Sequence, residues 1–467
     1  EPESGKPWNI VFREISKTVA QVSTEPTRLI LSKVNGYVHA KRINAIMGMS
    51  GSGKTTLLKV IGGRETDRVS GTVLFQGKAL KRSMLPYISY IWQDDVYFPS
   101  IEFTVRDQLM FSALVKLPGT DTYEALLDEV DNAIQRMHLQ SSVDTSLMFV
   151  SGGEKRRTSI AKELLCHPKA LLMDEGTSGL DSAAAFDLLC LLKELAVERD
   201  MPVLCTIHQP STRAFYLFDS VLFLAEGYCV YSGPPEECMS YLEGVGFSAI
   251  TWSQQSAYNP ADFVIDILYS ELADPQTNMW PRKVLIAAWK SREASTGEQV
   301  EEMEQKVSEY SDCEGKEEAL GEHQGGYDDI EAPSQGNIQQ QVQQHIRYDC
   351  MSSYQRQVYA VFRRSLKSSC AVQLSLLNVL QTIAMALLVG LCWFKVPLSE
   401  DRVGDIAGFA FFISAYWFFA GMYEGMLEFL PERVIIGREL LSGDYPLSAC
   451  FIAKTLATFP CRTLLLW

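Results

Sequence analysis

Dense runs of positive charge, closely spaced cysteine pairs and an opening leader segment are all missing from this chain, and each absence narrows its function. Lys and Arg nowhere form the basic stripe that a nucleic-acid backbone demands, so no nucleic-acid partner is expected. The 11 cysteines are scattered without short paired spacings, which excludes a disulfide framework or a cysteine zinc site and points to reduced thiols. No charged-then-apolar stretch follows Glu1, so no signal peptide is expected, and the natural N-terminus is expected further upstream. Net acidity is also scarce outside one place. Of the formal charge of −15, residues 298–331 carry −11, with thirteen Asp or Glu against Lys306 and Lys316.

What is present is unevenly distributed. A chain of 467 residues holds two or three domains, and its long uncharged runs are confined to the last hundred residues. Residues 1–275 alternate short β-rich runs with helical stretches, the pattern of a layered α/β domain. Strands are predicted at Ile43 to Met47, Ala170 to Met173, Val203 to Ile207 and Val221 to Leu224. From about Ser291 to Gln344 the composition turns to Glu, Gln, Gly and Ser, too poor in large apolar groups to offset the entropy of ordering, and residues 276–345 are expected to form a flexible linker.

The remainder, 346–467, reads as the start of an all-α membrane domain. A helix over 354–367 places Tyr354, Val358, Val361, Phe362 and Leu366 opposite Arg and Lys, which suits a membrane surface. No charge occurs between Lys367 and Lys395, and about twenty apolar residues cross a bilayer, so spans are predicted at about 369–394 and 406–426. A third starts at about 447–467, with Lys454 and Arg462 inside it. Arg363, Arg364 and Lys367 before the first span, with Arg433 and Arg438 after the second, place the preceding domain in the cytosol.

Three motifs carry chemistry. In GMSGSGKTT, Gly48, Ser50, Gly51, Ser52, Gly53, Lys54, Thr55 and Thr56 follow an apolar strand and open a helix. The glycines permit a tight loop whose N–H groups surround phosphates, Lys54 reaches the β- and γ-phosphates, and Thr55 is a ligand for Mg²⁺. In ALLMDEGTSGLD an apolar strand ends in Asp174, placed to hold Mg²⁺, and Glu175, placed to polarise an attacking water. In VSGGEKRR, Ser151, Gly152, Gly153 and Glu154 begin a helix. That arrangement offers N–H groups to an anion and equally describes a simple cap.

Taken in this order, the phosphate loop, the SGGE segment and the DE strand resemble the ATP-binding-cassette family. The resemblance extends to Gln93 in YIWQDD, Asp181 in SGLD and His208 in TIHQP. It implies that Gln93 joins Mg²⁺ to a helical subdomain at about 95–165, that Asp181 communicates across a dimer, and that His208 senses the γ-phosphate. Trp8 and Phe12 are the candidates for the aromatic residue that stacks on adenine in that family. QDDVYFPSIEFTVRDQLMFSA, HQPSTRAFYLFD, NPADFVIDIL and PERVIIGRELLSGDYPLSACFIAKTLATFP resemble the White-type, or G, group of half-transporters, in which the cassette precedes the membrane domain.

The resemblance implies an α/β phosphate-loop cassette followed by an incomplete transmembrane domain, with a coupling segment at 431–445. It also implies ATP and Mg²⁺ as ligands, membrane lipids as surroundings, and a second half-transporter as partner, in a homodimer or a heterodimer. The cassettes pair head to tail, so that residues 151–154 of one contact the ATP of the other. The cargo implied is a sterol, lipid-like or amphipathic solute moved outward across a plasma or organelle membrane. Two other readings stay open, an ATP-binding regulatory subunit with little turnover and a soluble cassette ATPase.

Overall fold

The computed structural model describes residues 7–19, 28–94, 97, 103–117, 122–247, 259–270, 280–293, 354–373, 376–394 and 403–466. The chain forms two compact units, Glu1–Gln93 with Pro168–His345, and Asp94–His167 with Ile346–Trp467.

Among its described residues the first unit contains ten strands in two sheets. In chain order they are β1 (Ile10–Val19), β2 (Arg28–Val38), β3 (Ile43–Gly48), β4 (Val69–Phe75), β5 (Lys78–Ala79), β6 (Ile88–Ile91), β7 (Ala170–Met173), β8 (Val203–Thr206), β9 (Ser220–Ala225) and β10 (Tyr228–Gly233). One sheet is antiparallel in the order β2-β1-β4-β5; the other has the order β10-β9-β3-β8-β7-β6. In the second sheet β6, β7, β8, β3 and β9 run parallel, and β10 returns as a hairpin on β9. Every residue of β3, β6, β7 and β8 is buried. Their near-continuous apolar runs fit a parallel sheet covered on both faces. Parallel strands end at one edge, so the segments after β3, β6, β7 and β8 gather there.

Helix α1 (Lys54–Ile61) begins directly after the glycine loop, and α5 (Ser182–Glu198) is capped by Asp181, whose carboxylate accepts the Ala184 N–H. The predicted linker begins too early. Residues 281–293 form a helix, because Leu285 and Trp289 are buried and Trp289 packs edge-on against Tyr231 and Tyr241. Residues 294–345 lie outside the described residues.

The second unit is helical: α2 (Val105–Lys116), α3 (Tyr123–Arg136), α4 (Gly152–Leu164), α10 (Tyr354–Gln373), α11 (Leu376–Cys392), α12 (Val403–Ser442) and α13 (Leu447–Leu466), while α6 (Thr212–Phe215), α7 (Pro235–Val245), α8 (Pro260–Tyr269) and α9 (281–293) belong to the first unit. A capping box starts α2: Thr104 accepts from the Asp107 N–H and Asp107 accepts from the Thr104 N–H.

The buried face of α10 differs from the apolar stripe predicted for it. Tyr354 is exposed, while Gln357, Ala360, Val361, Arg364, Ser365, Ser368 and Ser369 are buried. These small and polar groups permit close packing on α13, which presents Ala449, Ala453 and Ala457, also buried. Arg364 tolerates burial because Glu439 accepts two of its N–H groups, at 2.6 and 2.9 Å, and its guanidinium lies 4.0 Å from the Phe111 ring centroid. Tyr445 donates to the same carboxylate. Although burial alone would raise it, the Glu439 pKa is held below its usual range by Arg364.

Among the described residues, no helix is long and apolar enough to cross a membrane. The first predicted span is divided between α10 and α11, and α11 has 17 residues, short of the ~20 needed. The second predicted span and residues 431–442 of the coupling segment lie in one 40-residue helix, α12, which carries Asp405 near its start and Glu432, Arg433, Arg438 and Glu439 towards its end. Lys454 of α13 pairs with Glu432. The Arg462 side chain lies outside the described residues.

Candidate functional site

The site of the first unit is built at the carboxyl edge of the parallel sheet. Strand β3 leads into the loop 48–53, where Gly48, Gly51 and Gly53 take φ of 142°, 75° and 104°. The conformation at Gly48 is doubly restrictive, since an added Cβ would lie 2.2 Å from the Leu224 carbonyl oxygen. Lys54, the first residue of α1, is buried and donates to the carbonyls of Gly48 and Met49, both at 2.8 Å. Burial pulls its pKa down, against the opposing pull of Glu175 and Asp174.

Thr55, Asp174, Glu175 and Gln93 converge beside this loop. The Thr55 hydroxyl donates to Asp174 Oδ1 at 2.9 Å, and Gln93 Nε2 donates to Glu175 Oε2 at 2.8 Å. Asp174 is buried at the end of β7, where its N–H donates to the Ile91 carbonyl. Glu175 has a φ of 44°, a left-handed conformation unusual for a glutamate, and it turns the chain out of the sheet. His208 is exposed just beyond β8, and Asp181 is exposed as the cap of α5.

These residues fit a magnesium–nucleotide complex. The Ser52 hydroxyl is buried in the loop without a hydrogen-bond partner, an acceptor site a phosphate oxygen can fill. Thr55 and Asp174 place two hard oxygen groups side by side, and Mg²⁺ commonly takes only one or two such groups from protein and the rest from phosphate and water. Among the described residues no cluster of three or more His, Cys, Asp or Glu suits a metal ion.

Two aromatic candidates are corrected. Trp8 is buried between Phe75 and Tyr87, and Phe12 is buried so closely under Gly36 that a Cβ there would lie 2.2 Å from its ring. Both serve the core of the antiparallel sheet. The cleft beside the phosphate loop, about 360 Å³, is lined instead by Arg28, Leu29, Ile30 and Glu226 together with Met49 to Ser52. Pattern reading missed Arg28, Leu29, Ile30 and Glu226 because they reach the loop from the start of β2 and the turn after β9, far from it in sequence.

Tyr90 and Thr206 were also missed: Tyr90 donates to Asp174 Oδ2 at 3.3 Å and Thr206 to Oδ1 at 2.8 Å. Burial, first, and then Asp174 push the Tyr90 pKa upward, keeping the phenol a donor. A threonine in the otherwise apolar VLCTI was the available signal.

Ser151 to Glu154 belong to the second unit. Ser151 caps α4 and accepts from the Glu154 N–H at 3.3 Å, while Glu154 accepts from the Ser151 N–H at 2.9 Å. Hydrogen bonds from Ser151 lower the Glu154 pKa. A Ser cap of this kind is worth ~1 kcal/mol, so the segment has a structural duty whatever else it contacts.

Comparison with known proteins assigns the lineage. A family profile described as ABC transporter matches residues 31–178, and two described as ABC-2 type transporter match 356–466 and 208–384. ABC transporter G family member 22 of Arabidopsis thaliana is 30% identical over 98% of this chain and 61% of its own length. Member 25 of the same organism is 32% identical over 93% of this chain and 62% of its own. The broad substrate specificity ATP-binding cassette transporter ABCG2 of Mus musculus is 28% identical over 96% of this chain and 66% of its own. The chain thus spans about three fifths to two thirds of the length of these relatives. With its nucleotide cassette ahead of an ABC-2 type domain, the chain belongs to the ATP-binding-cassette transporter family.

Proposed function

We propose that this chain is the engine and first membrane segment of a G-type half-transporter that hydrolyses ATP to move an amphipathic or lipid-like solute across a membrane. The carrying observation is the convergence of Thr55, Gln93, Asp174 and Glu175 beside the loop that holds Lys54. Lys54 exchanges its two loop carbonyls for the β- and γ-phosphates. Thr55 and Asp174 would hold Mg²⁺, which would supply neutralising charge to the phosphates. Glu175 polarises the attacking water, Gln93 orients that carboxylate, and His208 reads the γ-phosphate. The base rests in the cleft lined by Leu29 and Ile30.

A second copy, or a related half-transporter, completes the machine, supplying its own Ser151 to Glu154 to the nucleotide. Closure then exists only while the γ-phosphate bridges both partners, which gives ATP the differential affinity that drives a conformational change. The length and order of the match to relatives named as G family members support this arrangement. The breadth named for the ABCG2 relative supports an amphipathic class of cargo.

The test is Glu175→Gln in the purified full-length protein. Steady ATP turnover is expected to fall ~100-fold or more while equilibrium ATP binding stays within ~3-fold of the parent. Unchanged turnover would overturn the assignment.

A further inference from the structure

Thr206 sits at the end of β8 with no exposed surface, directly after the Met173 and Cys205 register pair that joins β7 to β8. Its Oγ1 accepts the backbone N–H of Glu175 at 2.7 Å and donates to Asp174 Oδ1 at 2.8 Å. A hydroxyl has a single proton, and a backbone N–H can only donate, so the two roles are fixed. The proton of Thr206 therefore points at Asp174, and the carboxylate is an acceptor there.

The geometry explains why a hydroxyl is needed. The Asp174 N–H still bonds within the sheet, to Ile91. At Glu175 the chain turns left-handed, with φ 44°, and its N–H leaves the ladder. A buried N–H without a partner is costly, and Thr206 is the group that takes it. The carboxylate of Glu175 then projects towards Gln93 Nε2 at 2.8 Å. One oxygen thus fixes both the metal-side acid, through its side chain, and the water-side acid, through its backbone.

We infer that Thr206 is a positioning residue for ATP hydrolysis, setting the Asp174 carboxylate and the Glu175 backbone together. The inference rests on the hydrolytic reading above and assigns Thr206 no contact with nucleotide. Without the hydroxyl, Asp174 keeps donors from Thr55 and Tyr90, whereas the bond from the Glu175 N–H to Thr206 is lost. Chemistry should therefore suffer more than nucleotide binding.

The experiment compares Thr206→Val, which keeps the shape, with Thr206→Ser, which keeps the hydroxyl, in the full-length protein. Thr206→Val is expected to lower kcat ~10-fold or more, as for loss of a hydrogen bond to a charged group, with metal-free ATP affinity within ~3-fold of the parent. Mn²⁺ binding to the ATP-loaded protein, followed by electron paramagnetic resonance, is expected to weaken several-fold. Thr206→Ser is expected to restore both. If Thr206→Val does not fold, Thr206→Ala takes its place against the serine variant. Parental kcat and Mn²⁺ affinity without the hydroxyl would overturn the inference, as would equal losses in the serine variant. Failure of the parent protein to bind ATP would overturn the hydrolytic reading itself, a result distinct from either.

Discussion

Lys54 shows how much a single side chain discloses before any fold is known. The glycine spacing around it identified a phosphate loop, and the structure places its ammonium on two loop carbonyls in a buried position. Lys54→Ala removes the cation that phosphate would exchange for these carbonyls, so ATP affinity is expected to fall at least ~10-fold in an equilibrium titration. Asp174 and Glu175 were marked as candidates by the apolar run before them and Gln93 only by family resemblance, and the structure brings the three side by side. Thr206 and Tyr90 were not marked, because a contact across neighbouring strands depends on register, and register is invisible in a linear string. The misassigned Trp8 and Phe12 failed for a related reason. Residue type suggested stacking, while depth in the antiparallel sheet made both core.

At the scale of elements, apolar periodicity located α10 but set its buried face to one side of the observed one, which shares Val361 and adds Gln357, Arg364, Ser365, Ser368 and Ser369. Such patterns assume that charge faces water, and Arg364 breaks the assumption because Glu439, 75 residues away, compensates it. The pair is coupled tightly enough to test. Arg364→Met leaves Glu439 buried without its cation and is expected to cost ~3–5 kcal/mol in denaturant unfolding; the double variant with Glu439→Leu should recover much of that loss. The acid limb carries a sign. Glu439 titrates lower in the folded protein than the ~4.3 of an unfolded chain, so its contribution is present above that value and is lost as pH falls through the folded pKa. Acid sensitivity should therefore lie below about pH 4 and weaken in the double variant. The parallel strands β3, β7, β8 and β9 were predicted closely, since uninterrupted apolar runs bounded by polar ends admit few other structures, while β6 was not predicted.

At the scale of the whole molecule, composition separated the α/β part from the helical part, and the family profiles follow the same order along the chain. What composition could not show is that residues 94–167 group with 346–467. Long-range grouping depends on buried ion pairs and small-residue packing, neither of which has a local signature. Two units also make ligand protection selective. Saturating MgATP at 100 times its dissociation constant stabilises what it binds by ~2.7 kcal/mol, so hydrogen exchange in β3 and α1 is expected to slow up to ~100-fold, with less effect in α11 and α13. Uniform slowing would mean that both units open together. The strand order has one more consequence. Since β6 is an edge strand of that sheet, bonded among the described residues to β7 alone, the glutamine just beyond it is carried on a rib held from one flank. The acid at 175 can thereby lose its companion without the rest of the framework giving way.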